Sequence, residues 1–451
     1  MTNFERWQYY CKDLTSPQSF IDWGYYFLVG AFLQRRVWIS SGHRSVYPNK
    51  YVIPTGPAAV GKGLIIKPVS EFLRHWKLKD RLVLDKQLLE QDEKDTLDLI
   101  IDKDSKSSHA NNGNGETKKS ALEPLLIPVG ANSTTFESLV REIGQSLRHI
   151  PYIIRDHETD KRVVRNYAHS SMALCLPELA SLFKKKSENI ITLILELYDC
   201  PEVHEYKTKN SGEDIVKRGC LNMLAGTTPH YIEEMFDEGI VTEGFSSRVF
   251  FIYATEPRDV KFFLPPETQS QIDCKNELLK HFLKLTTLYG SINVPQATAD
   301  WLQDWFVKYS KDKSKRANSS RMMEDYYGRK NLHVMKMAMA LHFSESYEME
   351  IPLETYQKAI EILDAEEKNM DRALVIKAKN PVSNLARKIL EYCSKDWKES
   401  TEIKVDLFDF ATSPDELDEA ISYLLGTGQL EQDTKKDKQD DMIVLYRKKK
   451  M

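Results

Sequence analysis

The eight residues Gly56-Pro57-Ala58-Ala59-Val60-Gly61-Lys62-Gly63 constrain this chain more than any other stretch. A short apolar run, Tyr51-Val52-Ile53-Pro54, leads into them. Leu64 to Trp76 follows with Ile65, Val69, Phe72 and Leu73 on one side, so the pattern predicts strand, loop, helix. Glycines at 56 and 61 let backbone wrap closely around phosphate oxygens. The next helix aims its positive N-terminal end at them, and Lys62 adds a full charge on the terminal phosphates. In that context the loop predicts a nucleotide site, with ATP as the ligand.

Two neighbouring positions depart from the usual chemistry. Gly63 stands where a Ser or Thr hydroxyl commonly supports Mg²⁺, so the metal is expected to be held through water or another side chain. A second apolar run, Met172-Ala173-Leu174-Cys175-Leu176, ends in Pro177-Glu178. Glu178 is placed to polarise an attacking water, whereas Pro177 occupies a position where Asp is common. The competing reading of Glu178 is a simple acid at a helix N-terminus.

With 451 residues the chain exceeds what one core usually organises, so several structural units are expected. The longest N-terminal apolar run, Tyr25 to Leu33, is far shorter than the ~20 residues that span a bilayer, and Arg35 and Arg36 follow at once. Met1 to Glu5 lack the basic and apolar regions of a signal peptide, so no membrane association and a cytoplasmic location are expected. The six cysteines, Cys11, Cys175, Cys200, Cys220, Cys274 and Cys393, form no CxxC pair, which argues against a disulfide framework or a zinc ribbon. A net charge of -4 exerts no global pull on nucleic acid, so any DNA contact must come from local basic elements or an enclosing ring.

The pattern along the chain predicts an α/β fold with a largely parallel sheet covered on both faces. Residues 1–45 form a helical segment rich in aromatics, residues 46–264 the sheet core, residues 265–379 a helical lid, and residues 380–451 a winged-helix-like domain. Ser16-Pro17 signals a helix start, and helical spacing assigns the aromatics to core or subunit-packing contacts ahead of stacking on bases. Asp102 to Ser120 is polar and poor in large apolar residues, which predicts a flexible surface insertion. Thr134 and Glu137 predict a capping box. Further strands are expected at Met172–Leu176, Leu221–Ala225 and Val249–Tyr253. The terminal domain is expected to start helices at Pro381 and at Pro414, the latter capped by Ser413, and to end in a hairpin around Lys435–Lys438. Asp415, Glu416, Asp418 and Glu419 would repel DNA from its second helix, while Arg447 to Lys450 offer backbone contacts.

Glu205 to Gly212 carries Asn210, Ser211 and Gly212, which favour a tight hairpin with Lys207 and Lys209 upon it. The order of the glycine loop, Leu174 to Leu179, Leu221 to Pro229, Gly244 to Phe250 and a helix beginning Gly328-Arg329-Lys330 resembles a family of phage and plasmid P-loop proteins with AAA+ helicase-like architecture, related in layout to the minichromosome maintenance helicases. The resemblance covers roughly residues 20 to 375. It implies that Lys62 and the loop bind ATP with Mg²⁺, that Glu178 orients water, and that Thr227 is a polar sensor with Thr228 its rival. Arg248 would be an arginine finger delivered to a neighbouring subunit, against the plainer reading of an exposed arginine capping a strand in a surface ion pair of a monomer, and Arg329 a sensor on the lid with Lys330 as the competing candidate. Lys207 and Lys209 would grip single-stranded DNA, against the plainer reading of a solvated charged loop. The implied assembly is a homo-oligomer, a hexameric ring, working with other replication proteins. The implied activity is ATP-driven translocation of single-stranded DNA. Alternatives are a nucleotide-binding DNA scaffold or loader with little turnover, and a nucleotide-kinase-type phosphotransferase.

Overall fold

The aromatic N-terminus folds as two helices. A computed structural model describes residues 1–81, 124–155, 162–183, 188–208, 212–237, 243–316, 323–373, 381–394, 396–410, 414–436 and 442–449. Helix α1 (Asn3–Tyr10) opens on a capping box between Thr2 and Glu5, and α2 (Gln18–Leu33) starts directly after Pro17. Helix α2 is buried on nearly every side, including Trp23, Tyr25, Phe27 and Phe32, as a helix apolar all round must be. Strands β1 (Val37–Ser41) and β2 (Arg44–Val46) form a small hairpin before β3 (Tyr51–Thr55), the glycine loop and α3 (Lys62–His75). Ile65, Val69, Phe72 and Leu73 of α3 are buried, as their spacing requires.

Helix α4 (Phe136–Gln145) is capped by Thr135, whose hydroxyl accepts from the Ser138 amide at 3.3 Å. A one-way cap by Thr135 stands in place of the expected Thr134–Glu137 box, and the Thr134 hydroxyl donates to the Thr135 carbonyl. Next come β4 (Leu147–Arg155), β5 (Arg162–Leu176), α5 (Glu188–Tyr198), β6 (Val203–Thr208), β7 (Gly212–Lys217), β8 (Gly219–Ala225), α6 (Pro229–Asp237), the single turn α7 (Glu243–Ser246) and β9 (Val249–Tyr253). The five-stranded sheet has the order β4-β5-β8-β3-β9. Its β5, β8, β3 and β9 are parallel, and β4 joins antiparallel through a long ribbon with β5. Every residue of β3 and β8 is buried, so both faces of the sheet centre are covered. The chain is thus α/β around a mainly parallel sheet.

After the sheet come α8 (Gln269–Leu285), β10 (Gly290–Ile292), α9 (Gln296–Lys311), α10 (Glu324–Gly328), α11 (Lys330–Glu345) and α12 (Leu353–Ala373). This region is not helical throughout. Strand β10 pairs in parallel with β1, because Gly290, at φ 132°, turns the chain where the helical period breaks. The segment 102–120 and the cap Ser413 lie outside the described residues.

The chain divides into two units, Met1–Leu374 and Val375–Met451. The second holds α13 (Pro381–Tyr392), β11 (Lys398–Glu399), α14 (Ser400–Asp406), α15 (Pro414–Gly426), β12 (Leu430–Lys436) and β13 (Met442–Lys448), with strand order β11-β13-β12. Its separate core gathers Leu385, Ile389, Ile403, Leu417, Ile421 and Leu424. All six cysteines of the chain are free thiols. Among the described residues, no helix is long and apolar enough to cross a membrane.

Candidate functional site

The glycine loop lies at the carboxyl ends of the parallel strands, between β3 and α3. Ligand crevices in open α/β sheets form at this end. Gly56 donates its amide to the Thr227 carbonyl at 3.3 Å, and a Cβ on it would stand 2.2 Å from the Ala254 carbonyl oxygen. That approach admits only glycine. Ala59 (φ 64°) and Gly61 (φ 96°) adopt left-handed backbone, which turns the chain back on itself before α3. Ser16 braces the turn by donating its hydroxyl to the Gly61 carbonyl at 2.8 Å. The amides of Ala58, Ala59, Gly61, Lys62 and Gly63 donate no hydrogen bond among the described residues, while Pro57, Ala58, Ala59 and Gly63 are exposed. These free donors precede or open a helix, where the macrodipole favours an anion.

Lys62 completes this cradle. Its Nζ donates to the carbonyls of Gly56 at 2.8 Å and Pro57 at 2.7 Å. Burial pulls the ammonium below the ordinary lysine range, and the Glu178 carboxylate opposes that pull. Its hydrogen-bond acceptors among the described residues are neutral carbonyls, so an anion entering the loop gains an ammonium already positioned there. Across the crevice, Leu176 ends β5 and leaves Pro177 and Glu178 exposed. Gly226 closes the floor, for a Cβ there would meet the Pro177 carbonyl oxygen at 2.6 Å.

Thr227 and Thr228 follow β8 beside the loop and have different surroundings. The Thr228 hydroxyl accepts from the Tyr231 amide at 3.3 Å and so caps α6. Thr227 is buried, bridges Thr55 and donates its amide to the Pro54 carbonyl, while its Oγ1 has no hydrogen-bond partner among the described residues. A buried hydroxyl without a partner is costly unless a ligand supplies one.

Arg248 lies at the other end of the sheet. Tyr51 pairs with Val249 and Thr55 with Tyr253, so Arg248 precedes the amino end of β9 while the loop follows the carboxyl end of β3. Five strand residues at ~3.3 Å each separate them by roughly 16 Å. Arg248 donates to the Gly244 carbonyl and to Asp199 Oδ2, both at 2.8 Å. Arg329 reaches Asp199 Oδ1 at 3.5 Å. The two predicted arginines therefore share one carboxylate, and Arg329 is brought to Arg248 and not to Lys62 of its own chain. Lys330 is fully buried and ion-paired with Asp364 at 2.7 Å and Glu367 at 2.5 Å, which commits it to packing α11 on α12.

The β6–β7 hairpin forms in the expected place, with Thr208 opposite Gly212. It runs into β8 and so emerges at the same end as Arg248. Lys207 lies on β6, and Lys209 lies outside the described residues. A second ribbon emerges there too, since β5 pairs with β8 only from Ser170 onward and its earlier residues pair with β4 alone. Arg218 links the ribbons, donating to the Ala168 carbonyl and to Glu202, with its guanidinium over the Tyr167 ring at 5.0 Å.

Reasoning from sequence missed Ser16, Asp199 and the β4–β5 ribbon. Asp199 stands 49 residues from Arg248 and 130 from Arg329, and no local motif marks it. Among the described residues, no group of three or more His, Cys, Asp or Glu is placed to hold a metal ion. Gly63 and Pro177 supply no Mg²⁺ ligand, so the chain's own side chains do not form the usual seat for that ion. Compared with models of known families and with curated proteins, the chain matches none.

Proposed function

We propose that this chain is a P-loop ATPase of AAA+-like architecture that assembles into a ring and moves single-stranded DNA during replication of a phage or mobile element. The observation that carries the reading is the division of charged groups between the two ends of one parallel sheet. Free amides and Lys62 form a phosphate cradle at the carboxyl end, whereas Arg248 and Arg329 are held together roughly 16 Å away at the amino end. Arginines so placed do not reach their own phosphate. They serve a neighbour's, which is why the reading requires an oligomer.

In this mechanism the loop amides and Lys62 bind the phosphates, and Thr227 Oγ1 gains the partner it lacks. Glu178 orients the water. Arg248 and Arg329 exchange Asp199 for the neighbour's phosphoryl oxygens as negative charge builds there. The two ribbons at the amino end are the elements that contact the DNA backbone, with Lys207 and Lys209 on one of them. The second unit, with the order helix, strand, helix, helix and two-stranded hairpin, is a winged-helix-like module. Its α15 presents Asp415, Asp418 and Glu419 as exposed acids, which favours a protein partner over the major groove.

A second reading keeps the ring and nucleotide but makes ATP a structural ligand of a DNA-bound scaffold. Gly63 and Pro177 favour it, because both positions lack a metal-supporting side chain. The deciding experiment is ATP hydrolysis by wild type, Lys62→Ala and Arg248→Ala, with and without single-stranded DNA. DNA-stimulated turnover is expected, lowered at least about 100-fold in either variant. Arg248→Ala should still bind nucleotide, whereas Lys62→Ala should not. Tight binding by wild type without turnover would establish the scaffold instead.

A further inference from the structure

The amino end of the sheet holds more than the arginine pair. Beside Asp199 and Arg329 lies a cavity of about 410 Å³, a volume that suits a small molecule. Four cations line it: Arg35 after α2, Arg44 on β2, Arg329 before α11 and Lys336 within α11. Two carboxylates, Asp199 and Glu202, share the lining. With His43 counted as neutral, the walls carry an excess of two positive charges in a chain whose net charge is -4.

The two carboxylates do not answer this excess, because arginines outside the lining draw on them as well. Asp199 holds Arg248 at 2.8 Å besides Arg329, and Glu202 holds Arg218 at 3.1 Å besides Arg35 at 2.6 Å. Lys336 is buried and donates to neutral oxygens, the Tyr47 carbonyl at 2.9 Å and Asn49 Oδ1 at 2.6 Å, with its Nζ 4.4 Å from the centre of the Tyr198 ring. Two further donors have no partner among the described residues. They are Tyr198 Oη and Arg35 Nε, both buried and both on side chains that line the cavity. Buried donors left unmet destabilise a fold unless an acceptor is supplied. Surplus positive charge, unmet donors and open volume coincide here, and an anionic acceptor is what all three lack.

We propose that this cavity is a second ligand site, one that takes a small phosphate-bearing anion whose oxygens accept from Arg35, Arg44, Lys336 and the Tyr198 hydroxyl. A phosphate dianion cancels an excess of two charges, and planar guanidinium groups match its oxygens in geometry. The site is separate from the phosphate cradle, which lies at the carboxyl end of the same sheet. It needs no neighbouring copy, and none of these four groups has a part in the ring reading above.

The test is calorimetric titration of the full chain carrying Lys62→Ala, which disables the cradle, at a concentration where sedimentation shows single chains. The probes are inorganic pyrophosphate and adenosine monophosphate. A single equivalent should bind. Adding Arg44→Ala or Tyr198→Phe should weaken binding at least roughly tenfold, since each deletes a donor to a charged acceptor. Both variants should fold, because Arg44 is exposed and phenylalanine keeps the ring of Tyr198, and unfolding midpoints check this. Tighter binding of adenosine monophosphate would identify an organic phosphate as the ligand, and tighter binding of pyrophosphate a free inorganic anion; either result supports the site. The proposal is overturned if Lys62→Ala binds neither probe, or if neither added substitution weakens binding. Binding that appears only in assembled chains would overturn it too, for the cations would then serve a neighbour's nucleotide. None of these failures touches the ring reading, which stands on Lys62 and Arg248.

Discussion

Thr227 and Lys336 show how single side chains carry costs that the fold must offset. The Thr227 hydroxyl is buried without a partner, so Thr227→Val removes an unsatisfied group and keeps the shape. Stability should rise by about 1 kcal/mol, read from denaturant unfolding, while ATP turnover falls. A loss of stability would mean that the hydroxyl is satisfied in the free protein. Lys336 is buried and donates to the Tyr47 carbonyl and Asn49 Oδ1, both neutral, and burial pushes its ammonium down to about 8. Its folded value lies below its unfolded one, so between pH 8 and 10 the unfolded chain binds more protons and stability rises with pH. Relative to Lys336→Met, wild type should gain up to roughly 1.4 kcal/mol per pH unit across that window, measured by unfolding at each pH. Equal slopes would show that the ammonium stays charged in the folded protein.

Helix α3 and its approach loop are the element on which nucleotide chemistry turns. A Cβ at Gly63 meets nothing within 4 Å, in contrast to Gly56 and Gly226, where backbone oxygens leave no room. Steric need therefore does not account for glycine at 63. Gly63→Ser should fold normally and gain about 0.5 kcal/mol of helix stability. It should also bind nucleotide about tenfold more tightly with Mg²⁺ than with a chelator, since it restores a hydroxyl for the metal. Wild type should show much less dependence on the metal. Calorimetric titration with and without chelator checks this, and equal dependence in both proteins would show that wild type holds Mg²⁺ by another group. The loop, its flanking strand and its helix were legible from residues 51 to 76, because apolar spacing and glycine placement are local properties. The cap of α4 was misplaced by one residue because Thr134 and Thr135 both offer a hydroxyl, and only backbone geometry selects between them.

At the scale of the whole molecule, the chain divides after Leu374 into two units, each with a main core of its own. The phosphate cradle, the arginine pair and both ribbons belong to the first unit, so a chain ending at Leu374 should unfold cooperatively and bind nucleotide within about twofold of the full protein. Loss of binding in a folded truncation would place part of the nucleotide site in the second unit. The pairing of Arg248 with Arg329 belongs to this scale too. Asp199 joins two arginines from distant stretches, and the register of β3 with β9 puts Arg248, and with it this pair, at the end of the sheet away from their own cradle.

By itself the sequence determined the local elements: the strand, loop and helix around Lys62, the apolar strands at Leu174, Leu221 and Phe250, and the acidic helix after Pro414. Each follows from steric and hydrophobic periodicity within about twenty residues. Only the tertiary structure decided which ends of the sheet these elements occupy. It left Thr227 without a partner while Thr228 caps a helix, buried Lys330 among carboxylates and set Arg329 beside Arg248. Those outcomes depend on contacts between residues far apart in the chain, where burial and hydrogen-bond satisfaction, and not local propensity, select the arrangement.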